Sequence, residues 1–337
     1  MTKSAAVALC MLVMSLSGAG AQGLFYKHLT TGDGLPHNLC FHVNQDLHGT
    51  IWVCTDDGIA RYEDGAFTRF GKEAGLASKY PIMAVNTPDS TQILAMWKGA
   101  ICEFDGEKAW QIDTPTATRN SRSLNVALGS DSLIIIMKQG RADIFMCRAQ
   151  RPYHITQYRI IPTQNTYALS PIEGLPPENS VTRNVSAFLN GKDVYFFQFD
   201  SGLWLLKPDN SLEQVWSNLL GKELVSAMAI APDSSFWLGL SGQLVNIHKG
   251  KIRYAIALPD KEQIKRMLVS DDGNLVFSTF SRYATSSESL YWLKPDLKAS
   301  IPISDLIPIA SPVTEFSIDR EQNLWIPTHG DGLFIVP

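Results

Sequence analysis

The chain has little of what usually marks an enzyme, a membrane protein or a nucleic-acid binder. It has 29 basic and 33 acidic residues among 337, a net charge of −4, and no long run of one sign. That balance argues against nucleic acid and anionic membrane surfaces as partners. After residue 21 no stretch approaches the roughly 18 consecutive apolar residues of a membrane helix. The strongest run, LIIIM at 133–137, has strand length. There is no GxSxG, HExxH, GxxxxGK[ST], GxGxxG or EF-hand loop. GLSG at 239–242 is read as a hairpin turn, because it stands where other repeats carry TDDG and HGDG. No catalytic residue, cofactor or metal is therefore expected.

Cysteine is scarce as well: there are five, with no CxxC spacing. Cys10 falls in the leader described below, leaving Cys40, Cys54, Cys102 and Cys147. With DLHG (46–49) as a hairpin turn, Cys54 faces Phe41, and Cys40 points to the other side of the sheet. Buried free thiols are the expectation. His37, His42 and His48 cluster in sequence, but at about 3.3 Å per extended residue His37 and His48 lie too far apart to share an ion.

What is present begins with a secretory leader over residues 1–21. Lys3 supplies a basic start, an apolar run follows to Leu16, and Ala19-Gly20-Ala21 offers small residues for cleavage. A lipoprotein anchor at Cys10 is the competing reading, opposed by Leu9 before the cysteine. Residues 22–337 are read as one domain, periplasmic or extracellular.

From His37 to Phe70 the chain parses into four short strands joined by DLHG, DDG and DG turns. The segment 317–337 repeats the pattern: Asp46, Gly49, Trp52, Thr55 and Gly58 find counterparts in Asp319, Asn323, Trp325, Thr328 and Gly332. Weaker copies carry Asp89, Trp97 and Gly99; Asp233, Trp237 and Gly242; and Asp272, Gly273 and Thr279. Two further units, around Ile135 and Phe196, rest on strand pattern alone. Second-strand positions Trp52, Trp97, Ile135, Phe196, Trp237, Phe277 and Trp325 recur at intervals that average close to 45 residues, as in four-stranded propeller blades, with an insertion at about 150–180. The expected fold is an all-β, seven-bladed β-propeller of four-stranded antiparallel blades. LFYKHLT (24–30) would add the outer strand of the last blade and close the ring. A β-sandwich or two small β domains is the rival reading. Core packing is expected of the repeat tryptophans, and Trp110 and Trp216 are less tied to the repeat.

GLPHNLCFHVNQDLHGTIWVCTDDGIARYEDG (34–65), GLASKYPIMAVNTPDS and DREQNLWIPTHGDGL resemble the repeat of the two-component regulator propeller family. The match is specific in the first and last units, partial in the fifth and sixth, and poor in the third and fourth. The resemblance implies a periplasmic sensor region of a bacterial histidine kinase. Larger members carry two propellers, an immunoglobulin-like domain, a membrane helix and a kinase, and none of these occurs in the present sequence.

Within each unit the loop leading into the first strand and the turn leaving the second lie at one end of the ring. Those loops present His37, Lys79, Tyr80, Arg122, Arg141, Arg183, Lys265, Arg266, Arg282, His329 and Asp331, with Asn38, Asp56, Asp57, Lys98, Asn184 and Asp200 beside them. This is the candidate ligand-binding mouth, and its basic excess suits an anionic or polyhydroxylated small molecule or glycan. Downstream signalling domains or a homodimer partner would complete a receptor. Two alternatives stay open: a streptogramin-lyase-like enzyme using His37 and His329, and a stand-alone exported protein-binding propeller.

Overall fold

The computed structural model describes residues 24–86, 91–97, 100–112, 225–258, 263–280, 289–294 and 300–337, together with strand and turn segments between 123 and 220. Among these residues the chain is almost entirely β. Among the described residues seven four-stranded antiparallel sheets follow one another, and a separate two-stranded sheet lies against the third of them.

The first sheet shows how the sequence builds the unit. Its strands are Cys40–Gln45, Ile51–Thr55, Gly58–Glu63 and Ala66–Phe70, each paired with the next. Asp46 opens the first turn and accepts hydrogen bonds from the backbone N–H groups of His48 and Thr50, both at 2.9 Å. Its second oxygen accepts the indole N–H of Trp52 at 2.8 Å. One carboxylate thus shapes the turn and fixes the large ring that packs against the next sheet, T-shaped on Phe104 at 5.3 Å. Asp319 repeats the arrangement, binding the N–H of Asn323 at 2.8 Å and the indole of Trp325 at 2.7 Å. The repeated aspartate and tryptophan are therefore one structural device.

The glycine after the second strand has an equally direct cause. Gly58 and Gly332 have φ of 97° and 84°, and a Cβ at either would lie 2.3 Å from the carbonyl oxygen of Phe70 or Leu29 respectively. Only glycine lets the turn approach the outer strand so closely. Leu29 stands in the seventh sheet where Phe70 stands in the first. Indeed Lys27–Leu29 pairs antiparallel with Leu333–Val336, in the register Lys27↔Ile335, His28↔Phe334 and Leu29↔Leu333. That sheet runs Ser317–Ile318, Leu324–Pro327, Leu333–Val336 and then Lys27–Leu29.

The second strands Ile51–Thr55 and Gln92–Met96 are buried on both faces, because their sheets are stacked against neighbours. Distinct apolar clusters fill these junctions. Trp52, Phe70, Leu94 and Phe104 join the first sheet to the second. Leu29, Val43, Val53 and Trp325 join the seventh to the first, and Val276, Ile303, Phe316 and Phe334 join the sixth to the seventh.

Three sequence expectations need correction or placement. Trp97 is not in a second strand: it follows Gln92–Met96 at the turn and is 50% exposed. The second-strand place opposite Val85 belongs to Ile93, fully buried, which fills the volume without needing an acceptor. Cys54 pairs with His42, not Phe41, because a bulge at Phe41 inserts an extra residue between Cys40 and His42. Cys40, Cys54 and Cys102 are buried free thiols; burial pushes Cys40 up to about 12 and Cys102 up to about 11. The side chain of Cys147 lies outside the described residues. The expected insertion contains the pair Tyr158–Ile160 and Tyr167–Leu169.

Candidate functional site

The lead-in loops and exit turns meet as the alternation of antiparallel strands requires. Asp56 N–H donates to the Leu39 carbonyl at 3.0 Å within the first sheet, and Trp97 N–H to that of Tyr80 at 2.8 Å within the second. Neighbouring units are sewn together in the same way. Gly58 N–H donates to the Lys79 carbonyl at 2.8 Å, Cys40 N–H to Thr328 at 2.9 Å, and Gly332 N–H to Asn38 at 2.8 Å. The seventh, first and second sheets therefore share one continuous hydrogen-bonded rim.

On this rim His37 is exposed, and its Nδ1 accepts the N–H of Leu39 at 3.0 Å. Lys79 is exposed, with its ammonium 4.8 Å from the centre of the Tyr80 ring. Exposed Trp97 follows on the strand hydrogen-bonded to Tyr80, so an indole joins the phenol and the ammonium at the mouth. Sequence reasoning missed this contribution by assigning Trp97 to the core. The signal was present: ILAM completes a fully buried strand, and the tryptophan comes after it, beside Lys98-Gly99. His329 is exposed, and its N–H donates to Pro312 at 2.9 Å.

Other expected site residues have structural partners. Arg266 Nε lies 2.6 Å from Glu315 Oε1, and its guanidinium covers the ring of Phe316 at 5.8 Å. Lys265, at a bulge in the first strand of the sixth sheet, donates to the Thr314 carbonyl at 3.2 Å. The Asp331 carboxylate accepts the N–H groups of Ala310 at 2.8 Å and Ser311 at 2.6 Å. Partial burial alone would raise the pKa of Asp331, but those donors and the charge of His28 hold it below the ordinary carboxylate value. Asp57 is clamped by Arg69, through Nε at 3.0 Å and Nη2 at 3.1 Å. Arg122, Arg141, Arg183 and Arg282, with Lys98, Asn184 and Asp200, lie outside the described residues.

Three of the inner strands carry a bulge near this end, at Phe41, Ile82 and Lys265. Just inside it lies His42, buried, with its pKa lowered to about 3 by burial and by the charge of Arg266. Among the described residues no three His, Cys, Asp or Glu side chains are grouped to hold a metal ion. Nor is any helix there long and apolar enough to cross a membrane.

No protein-family model matches the chain, and no curated protein matches it. Solved structures do. The extracellular domain described as that of the hybrid two-component system BT3049 from B. thetaiotaomicron is 14% identical, with a TM-score of 0.60 over 93% of this chain and 42% of that one. The corresponding domain of BT4673 from B. thetaiotaomicron is 15% identical, with a TM-score of 0.62 over 93% of this chain and 39% of that one. The WD40 β-propeller domain of Doa1 is 10% identical, with a TM-score of 0.57, and here the match covers 94% of this chain and 97% of the other. The chain spans about two fifths of the length of the two extracellular domains. The fold of this chain is thus that of a β-propeller, shared with extracellular domains of two-component systems.

Proposed function

We propose that the chain is a non-enzymatic sensing propeller, exported to the periplasm or cell surface and forming the input part of a two-component receptor. In this reading the seven sheets are blades of a closed ring, and Lys27–Leu29 is the strand that closes it. A small molecule or glycan with anionic or hydroxyl groups binds at the mouth formed by lead-in loops and exit turns, and signalling domains beyond this chain read out the binding.

The observation that carries the proposal is the shared rim. Loops of the seventh, first and second sheets are hydrogen-bonded to one another, so a ligand touching His37, His329, Lys79, Tyr80 and Trp97 engages several units at once. The likeness to extracellular domains of two-component systems supports the sensing role.

The test is a binding titration of anionic oligosaccharides against Lys79→Ala, Arg122→Ala and Arg183→Ala. Loss of one charge-assisted contact should weaken binding by about ten- to a hundredfold. Unchanged affinity in all three variants, or a ligand mapped to the opposite end, refutes the site. Lyase turnover that disappears in His37→Ala or His329→Ala would replace sensing with catalysis.

A further inference from the structure

The bulges in the inner strands create a second level just inside the rim. The residue after each bulge pairs with the second strand one place further in: His42 with Cys54, Met83 with Ala95 and Arg266 with Ser278. The seventh sheet puts Glu315 at the same place. There Val313 bridges Thr328 and Ser317 pairs with Trp325, so Thr314, Glu315 and Phe316 lie opposite only Ile326 and Pro327. In the first sheet Phe41, His42 and Val43 likewise lie opposite only Val53 and Cys54. The sixth, seventh and first sheets thus offer Arg266, Glu315 and His42 from one repeat position. Thr314 Oγ1 donates to the Cys40 carbonyl at 2.6 Å and ties two of these sheets together at this level.

Each of the three side chains keeps an open polar atom. Arg266 Nε and Glu315 Oε1 touch at 2.6 Å but are out of line for a hydrogen bond, so their contact is ionic. Both atoms are sealed in protein. The terminal nitrogens of Arg266 and Oε2 of Glu315 are not sealed, and they make no hydrogen bond among the described residues. His42 is 6% exposed, and its Nδ1 accepts the N–H of Ala84 at 3.4 Å, which leaves the ring proton on Nε2. Nε2 is likewise unsealed and without a partner among the described residues. A pKa lowered to about 3 by burial and by Arg266 keeps this imidazole a neutral donor. Because the seven sheets are read as blades of one ring, a reading on which this inference rests, the three open ends face the central channel.

Charge decides what fits there. Arg266 and Glu315 cancel, so an anion drawn to one is repelled by the other, and a cation meets the reverse. A ligand carrying both charges side by side satisfies both. The carboxylate and ammonium of an α-amino acid stand on one carbon, adjacent to each other like the guanidinium and carboxylate here. Charge-assisted hydrogen bonds are about twice as strong as neutral ones, which favours this zwitterion over a pair of hydroxyl groups making the same number of bonds.

We propose that this level of the channel binds a free α-amino acid, with its carboxylate on the terminal nitrogens of Arg266 and on His42 Nε2–H, and its ammonium on Glu315 Oε2.

The experiment titrates the full chain with alanine, with alaninamide, which lacks the carboxylate, and with N-acetylalanine, which lacks the ammonium. Calorimetry gives affinity, and NMR of the His42 ring gives position. Alanine should bind and shift the His42 signals, and each analogue should bind about ten- to a hundredfold more weakly, as expected for one charge-assisted contact. Glu315→Gln should weaken alanine by a similar factor and leave N-acetylalanine unchanged, since that probe has no ammonium to lose. Arg266→Gln should weaken alanine and spare alaninamide. Equal affinity for all three probes, no binding of alanine at millimolar concentration, unmoved His42 signals, or tighter binding of methyl glucoside as a neutral diol would overturn the proposal. Oligosaccharide binding at the rim without alanine binding refutes this inference alone, and alanine binding without oligosaccharide binding refutes the rim alone.

Discussion

The first and seventh sheets share a template and differ in assembly. Both have the turn aspartate bonded to a tryptophan, and both have a glycine pressed onto the outer strand. The first is one continuous stretch, so each strand finds its partner through a short turn. The seventh joins Lys27–Leu29 to Leu333–Val336 from opposite ends of the chain. Local hairpins incur little loop-closure entropy, whereas the seventh sheet must offset a long closure with contacts made only on arrival. Those contacts are concentrated on a three-residue strand. His28 stacks on Phe334 with ring centroids 4.1 Å apart and bonds the Asp331 carbonyl, while Leu29 is buried in the cluster containing Trp325.

Deleting residues 22–30 tests that difference most severely. It removes the pairing, the stack and Leu29, and it uncovers the edge of Leu333–Val336. A loss of several kcal/mol, read as a fall of roughly 10 °C or more in Tm or as aggregation, is expected. A fall of only a degree or two would show that the seventh sheet does not depend on its distant strand. Gly58→Ala and Gly332→Ala come next, each expected to cost about 2–4 kcal/mol from the left-handed backbone and the collision with the outer carbonyl. Chemical denaturation would measure them. If the distant strand yields more readily, Gly332→Ala will cost less than Gly58→Ala.

A pH titration separates the two sheets further, because the short inner strand Ser317–Ile318 of the seventh has no titratable group, whereas that of the first holds His42. Burial and Arg266 lower the His42 pKa from 6.5 to about 3. The unfolded chain therefore takes up this proton first as pH falls. Stability is undiminished by this group above about pH 6.5 and is lost progressively down to about pH 3. Between pH 6.5 and 4.5 the loss should be about 2–3 kcal/mol, and His42→Gln should remove that part of the slope in acid-unfolding curves. The smallest effect is expected at Trp97, where alanine should change stability by no more than about 0.5 kcal/mol, in contrast to Trp52→Ala at about 3–5 kcal/mol. A large loss at Trp97 would return it to the core.

These contrasts also explain what could be read from the sequence. The first and last units were legible because Asp46, Trp52 and Gly58, with Asp319, Trp325 and Gly332, each meet a demand that other residue types cannot. The second unit was misaligned because Ile93 satisfies the same place by volume alone, and volume leaves no distinctive spacing. The bulge at Phe41 was invisible, since an extra residue in a strand changes pairing without changing composition. At the mouth, the position of the loops followed from strand direction, but the use of their charges did not. Turn carboxylates such as Asp57 and Asp331 look like ligand contacts in a sequence, yet Arg69 and the N–H groups of Ala310 and Ser311 occupy them.

The split seventh sheet has a further consequence for timing. Ribosomes release Lys27–Leu29 long before Leu333–Val336, so the earlier strand must wait through the birth of the six intervening sheets before its partner exists. A nascent chain arrested before Leu333 holds that strand idle, and the slow, non-local pairing that ends the wait sets when the seventh sheet can form.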